Sequence, residues 1–234
     1  MECGPGITGL FVPNLLLCLF GGWMLTAISV DAAGLRCSGE SVVVHASDPR
    51  DAEIVCKGAS DAVKFLNSQG LHTCAHLEIH VVETLPDAVP PATAGCYVHA
   101  ERRVYLLTPT RFEQQAMHVA PPSCLDYHNL ITHEVAHAIA GCNFAVPKPT
   151  IQAHEYVAYL TMLSTMPDAA RERMLGNFAG DGFDTEQQIT ATIYLMAPQW
   201  FGAQVYRHYL KPGNGQAFLR KLLAGKALSL HCER

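Results

Sequence analysis

His133-Glu134-Val135-Ala136-His137 is the run of residues in this chain best suited to chemistry. Two histidines four residues apart share one face of a helix, so both imidazoles can reach a single metal ion. The glutamate lies about 100° round from the first histidine, close enough to take a proton from a water at that metal. Side chains of these types at this spacing describe the working end of a zinc hydrolase. A five-residue pattern also arises by accident in a chain with 12 histidines, so the elements around it must support the reading.

The first requirement is a helix. Pro121-Pro122 ends whatever precedes, Ser123 can cap a helix, and Asp126 three residues on completes a capping box. Leu130, Ile131, Val135, Ala138 and Ile139 then fall at helix-compatible apolar positions, and Gly141 with Asn143 supplies a stop. The pattern predicts a helix over about 124–140, with small Ala136 and Ala140 beside the histidines to leave room for a metal and a substrate.

The second requirement is a third ligand, because a catalytic zinc keeps three protein ligands and one open position. Pro147-Lys148-Pro149-Thr150 reads as a loop feeding a second helix over about 151–166, with Thr150 as its cap and Pro167 as its stop. At 100° steps, Ile151, Glu155, Ala158, Met162 and Met166 share one narrow face, and Glu155 is the only charge in it. A buried carboxylate needs a cation partner or a metal, or it becomes protonated. If the loop folds the two helices antiparallel, His137 and Glu155 each lie ~5–6 Å from the turn and end up level. Glu155 is therefore the expected third ligand. His154, which projects about 100° away, and the more distant Asp168, Asp181 and Asp184 are the alternatives.

His133, Glu134 and His137, followed by Glu155-Tyr156-Val157-Ala158, resemble the zincin metallopeptidases whose third ligand is a glutamate, the gluzincins. Their second motif is commonly E-x-x-A or E-x-x-D on a following helix, and Glu155 to Ala158 matches it. The likeness covers about 45 residues, from 123 to 166, and resembles a small, poorly described bacterial metallopeptidase family. The metzincin pattern is absent: Ala140 stands where it needs glycine and Asn143 where it needs a third histidine. The resemblance implies one Zn²⁺ per chain, a small zincin-like domain, and a peptide or protein substrate.

The rest of the chain bounds the setting. A long apolar run from about Leu10 to Val30 carries no charge, and Val30-Asp31-Ala32 resembles a small-residue cleavage site. No basic residue precedes the run. Residues 1–32 are expected to be a cleaved export signal, or an uncleaved membrane anchor, and 33–234 the catalytic domain, secreted or periplasmic. Beyond the leader, Cys37, Cys56, Cys74, Cys96, Cys124, Cys142 and Cys232 are scattered without a C-x-x-C pair, so disulfides are expected rather than a structural zinc cluster. Cys124 and Cys142, at opposite ends of the expected helix and ~25 Å apart by helical rise, should not pair with each other. With 16 basic against 21 acidic residues, nothing suggests a nucleic-acid partner.

Residues 40–46 read as a strand, 49–67 as a helix, 75–84 as a half-buried strand and 96–107 as a hairpin. After 166 the chain reads as helical, broken at Pro167, Gly180-Asp181-Gly182, Pro198 and Pro212-Gly213. Strands and a helix therefore precede the metal helix, and helices follow it: an α+β arrangement. His76, Glu78 and His80 alternate along one strand face; a solvated face is the ordinary reading, and an edge strand beside a cleft the functional one.

The expected function is an exported zinc metallopeptidase. His133, His137 and Glu155 hold the metal, and Glu134 is the catalytic base. Tyr159, Tyr127, Tyr156, Tyr194, Tyr206 and His208 are candidates to steady the developing oxyanion. A zincin-like binding protein that cleaves nothing, a zinc hydrolase of a non-peptide amide, and a chance motif in a binding domain are the alternatives.

Overall fold

The computed structural model describes residues 34–37, 41–87, 89–90, 93–117 and 126–229. The apolar leader, Pro121-Pro122, Ser123, Cys124 and Cys232 lie outside the described residues. Five strands form one mixed sheet: β1 (Leu35–Arg36), β2 (Val42–His45), β3 (Leu77–Val82), β4 (Gly95–Val98) and β5 (Arg103–Leu107), in the order β1-β2-β3-β5-β4. β2, β3 and β5 run parallel, and the two edges, β1 and β4, run antiparallel to their neighbours. The alternation expected over 75–84 is present: Leu77, Ile79 and Val81 are buried while Glu78, His80 and Val82 are half-buried. β3 is central, however, so it is not the edge strand beside a cleft; that place belongs to β4.

The first helix, α1 (Pro49–Ser68), crosses from β2 to β3. Asp48 caps it by accepting from the Arg50 backbone N–H at 2.9 Å, and Pro49 occupies the first turn, where no amide partner is needed. Gly70 ends it at φ +87°, a conformation that suits glycine. Its buried stripe of Ala52, Val55, Ala59, Ala62, Val63 and Leu66 joins the same core as the inner face of the sheet. Short β1 and α2 (Pro109–Met117) are two elements the sequence pattern does not announce.

The metal-motif helix, α3 (Tyr127–Asn143), begins three residues later than its pattern predicts. Asp126, not Ser123, is the described cap: its carboxylate accepts from the His128 N–H at 2.9 Å. At the other end Gly141 does not stop the helix, which runs on to Asn143. Gly141 instead lets α3 approach β4: a Cβ there would lie 3.3 Å from the Tyr97 ring. The Asn143 side chain accepts from the His72 N–H at 2.9 Å and donates to the His72 carbonyl at 2.8 Å, tying the helix end to the segment entering β3.

α4 (Ile151–Thr165) stops at Met166-Pro167, as its pattern predicts. Thr150 precedes it but makes no capping bond; its hydroxyl donates to the Leu228 carbonyl at 2.6 Å. The expected single apolar face is also too narrow a description. Every residue from Ala153 to Leu163 is buried, because α4 packs against α1, α3, α6 (Ala191–Met196) and α7 (Pro198–Leu210). The remaining helices, α5 (Asp168–Gly176) and α8 (Gly215–Leu223), complete an α+β domain with strands first and helices after.

Cys37–Cys56 joins the end of β1 to α1, and Cys74–Cys142 joins the approach to β3 to the last turn of α3. Cys142 thus has a partner other than Cys124. Such bridges fit an extracellular or periplasmic protein. Among the described residues no helix is long and apolar enough to cross a membrane.

Candidate metal centre

α3 and α4 lie antiparallel: His137 faces His154 near the turn, and His133 faces Tyr159 farther along. Glu155 falls between these contacts, level with both motif histidines. Its carboxylate oxygens stand 3.4 Å from His133 Nε2 and 3.5 Å from His137 Nε2, and the two Nε2 atoms are 3.1 Å apart. The imidazoles meet edge to face at 81°. Glu155 is 0% exposed, His137 1% and His133 8%.

This geometry suits zinc. Ligand atoms at tetrahedral positions about one ion, at ~2.0–2.1 Å each, are about 3.3–3.4 Å from one another. The two imidazole nitrogens, 3.1 Å apart, and the approach of one Glu155 oxygen to each of them, at 3.4 and 3.5 Å, lie close to that figure. The carboxylate is fully buried between the two imidazoles, with the Tyr194 phenol beside it. Two nitrogens and a carboxylate form a donor set zinc accepts. In the metal-free chain the two histidines differ. Burial opposes the charged form of His133, but the adjacent Glu155 carboxylate outweighs it and raises the pKa overall. Burial, then the charge of His133, holds His137 well below the ordinary imidazole range.

Glu134 is 6% exposed, and one carboxylate oxygen, Oε2, is buried with no hydrogen-bond partner among the described residues. Burial pushes its pKa up to about 7; His133 opposes this, Glu155 adds to it, and the Tyr97 backbone N–H of β4 partly offsets it. β4 comes this close because of Gly95. A Cβ at that position would lie 3.0 Å from Glu134 Cγ and 2.9 Å from Leu106.

The alternatives for the third ligand lie elsewhere. His154 is buried against Phe144, its ring 6.0 Å from that of His137 and outside the ligand triangle, and burial followed by His99 lowers its pKa to about 4. Asp168 pairs with Arg171 and Asp184 with Lys211, and Asp181 is exposed. Among the hydroxyl candidates, Tyr127 donates to the Leu107 carbonyl, Tyr156 pairs with His208 at 2.8 Å, and Tyr206 lies under Arg171. Tyr159 and Tyr194 remain at the centre. The Tyr159 ring sits 4.9 Å from that of His133, backed by Tyr194 and Phe201. Burial, then the Glu155 carboxylate, raises both phenols well above their ordinary value, so each stays a donor.

Sequence reasoning missed three contributors: Gly95, the Tyr97 backbone N–H, and Gly202 of α7, where any Cβ would strike the Tyr159 ring. Each acts through a neighbour distant in the chain, so local pattern carries no signal for it.

A family model described as "Family of unknown function (DUF6639)" matches residues 42–231. No curated protein and no solved structure matches the chain.

Proposed function

The chain belongs to DUF6639, a family of unknown function, and from its site we propose that it is a zinc-dependent hydrolase, most simply a metallopeptidase. The observation that carries this reading is the Glu155 carboxylate. It is fully buried, and it places one oxygen 3.4 Å from His133 Nε2 and the other 3.5 Å from His137 Nε2. His133, His137 and Glu155 are the residues that would hold one Zn²⁺ per chain.

A zinc ion bound there supplies Lewis acidity toward a carbonyl and makes water easy to deprotonate near neutral pH. Glu134 takes that proton on its unpartnered Oε2 and returns it to the leaving amine. The Tyr97 N–H restrains the base, and the Tyr159 phenol, beside the His133 ring and protonated at any working pH, is a hydroxyl donor for the developing oxyanion.

A peptide substrate is favoured over another amide by the place of β4. It is an outer strand of the described sheet and it touches Glu134, so an extended peptide added to its edge would pass the base. Two disulfides and the apolar N-terminal run together support an exported enzyme, secreted or periplasmic.

The test is zinc content by mass spectrometry beside cleavage of a peptide library. Wild type and Glu134→Gln should each carry about one zinc, and His137→Ala and Glu155→Ala none. Cleavage should fall by about 10²–10⁴-fold in Glu134→Gln. No zinc in the wild type after zinc is supplied, or full activity in Glu134→Gln, overturns the reading. Zinc without cleavage would favour a zincin-like binding protein.

A further inference from the structure

A second group of metal-ligating side chains lies on the opposite face of the sheet, and strand pairing builds it. The row His76, Glu78, His80 does not form as a unit, because His76 precedes β3 and is exposed. His45 of β2 takes its place: the parallel register sets it directly beside His80. Their rings stack 4.6 Å apart at 14°, and Tyr105, also in register with His80, lies at 5.4 Å. Glu78 Oε2 stands 3.5 Å from His80 Nε2, and that buried nitrogen has no closer hydrogen-bond partner among the described residues. One ligand atom from each of His45, Glu78 and His80 lies within 4.8 Å of the other two.

We propose that His45, Glu78 and His80 form a second, exterior site for a late first-row divalent cation, Zn²⁺ or Cu²⁺. Two imidazoles and one carboxylate are the donors these ions prefer, and at a half-buried position solvent completes the coordination. A metal accepts an imidazole lone pair in the ring plane, so the stacked rings must part on binding. His45 is the ring that turns, since His80 is held between it and Tyr105. The cation would clasp β2 to β3.

One neighbour opposes the site. Arg103 Nε donates to Glu78 Oε2 at 2.8 Å, occupying one carboxylate oxygen and adding a positive charge. Glu78 Oε1 remains for the metal. The exterior site is therefore weaker than the buried centre, and removing the guanidinium must strengthen it. A purely structural ladder of side chains makes no such demand. The site is independent of the hydrolase reading and stands whether or not the buried centre cleaves anything.

The experiment is calorimetric titration of Zn²⁺, and separately Cu²⁺, into the metal-free full-length chain. Wild type should show two binding events, the second weaker. His45→Ala and His80→Ala should each lose the weaker event and keep the tighter one, which also reports that the variant is folded. His137→Ala should lose the tighter event and keep the exterior one. Arg103→Gln should tighten the exterior event by about fourfold or more, the effect of deleting one nearby charge in a solvated setting. A single wild-type event that His137→Ala abolishes, two events in both His45→Ala and His80→Ala, or an exterior affinity unchanged or weakened in Arg103→Gln would each overturn the three-donor site. A single wild-type event that His137→Ala keeps and His45→Ala and His80→Ala lose would count against the buried zinc centre and leave this site intact.

Discussion

Glu134 and Glu155 are buried beside the same two imidazoles, and their surroundings give them different work. Glu155 points both oxygens at the histidine nitrogens, whereas Glu134 keeps one oxygen without a partner and stands against β4. The pH dependence belongs at this scale. Burial pushes Glu134 up to about 7, and only its ionised form can accept a proton. A nearby cation stabilises that ionised form and draws the pKa back down. The acid limb of kcat/KM should therefore fall between the ordinary 4.5 and about 7, with activity lost as pH drops through it. The measurement is a pH–rate profile with zinc content followed in parallel, since acid also protonates the ligands. Activity that rises on acidification through this window would count against Glu134 as the base. The motif spacing made His133, Glu134 and His137 legible, because i and i+4 meet on one helix without help from elsewhere. The environment that tunes Glu134 was not, because Tyr97 and Gly95 arrive from a strand some 40 residues away.

At the scale of elements, the centre depends on how closely α3 is held. Gly58 is the contact point on α1: a Cβ there would lie 2.8 Å from Ile131 Cγ2, and Ile131 is fully buried two residues before His133. Gly58→Val forces the helices apart. Overpacking of this kind costs about 1–3 kcal/mol, and the displaced His133 should weaken zinc binding as well. Urea denaturation and zinc affinity measured on one preparation check both effects. A variant as stable as wild type would show that α1 gives way freely. Element boundaries were the least legible feature. The helix over 151–166 was read within a residue, since Pro167 ends it physically. The start of α3 is ambiguous in the sequence because Ser123 and Asp126 both offer an oxygen to a helix N-terminus; Asp126, in extended backbone, is the described cap.

At the scale of the whole molecule, the Cys74–Cys142 bridge closes a loop of 68 residues between the approach to β3 and the end of α3. Constraint of the unfolded chain over such a loop is worth about 4 kcal/mol. Replacing both cysteines with alanine should lower the melting temperature by ~10 °C, at the few degrees per kcal/mol expected of a domain this size. The zinc affinity of the folded state should change little, because Asn143 still ties α3 to His72. Differential scanning calorimetry beside a zinc titration tests this; an unchanged melting temperature would mean the bridge constrains little. The α+β class was legible at this scale from the order of strands and helices alone. The central place of α4 was not. Its sequence shows one apolar stripe, yet neighbours on every side bury it from Ala153 to Leu163.

By itself the sequence determined what short-range geometry dictates: the shared face of His133 and His137, the glutamate between them, the buried carboxylate at Glu155, and the alternation of β3. These follow from the fixed periods of helix and strand. Only the tertiary structure decided which groups face one another across the chain. It brought Glu155 within 3.5 Å of both imidazoles, set Gly95 against Glu134, paired Cys142 with Cys74, and replaced His76 by His45 beside His80. Strand register, helix contact and disulfide partner are choices among long-range pairings. Their free energy lies in packing between segments that no local pattern describes.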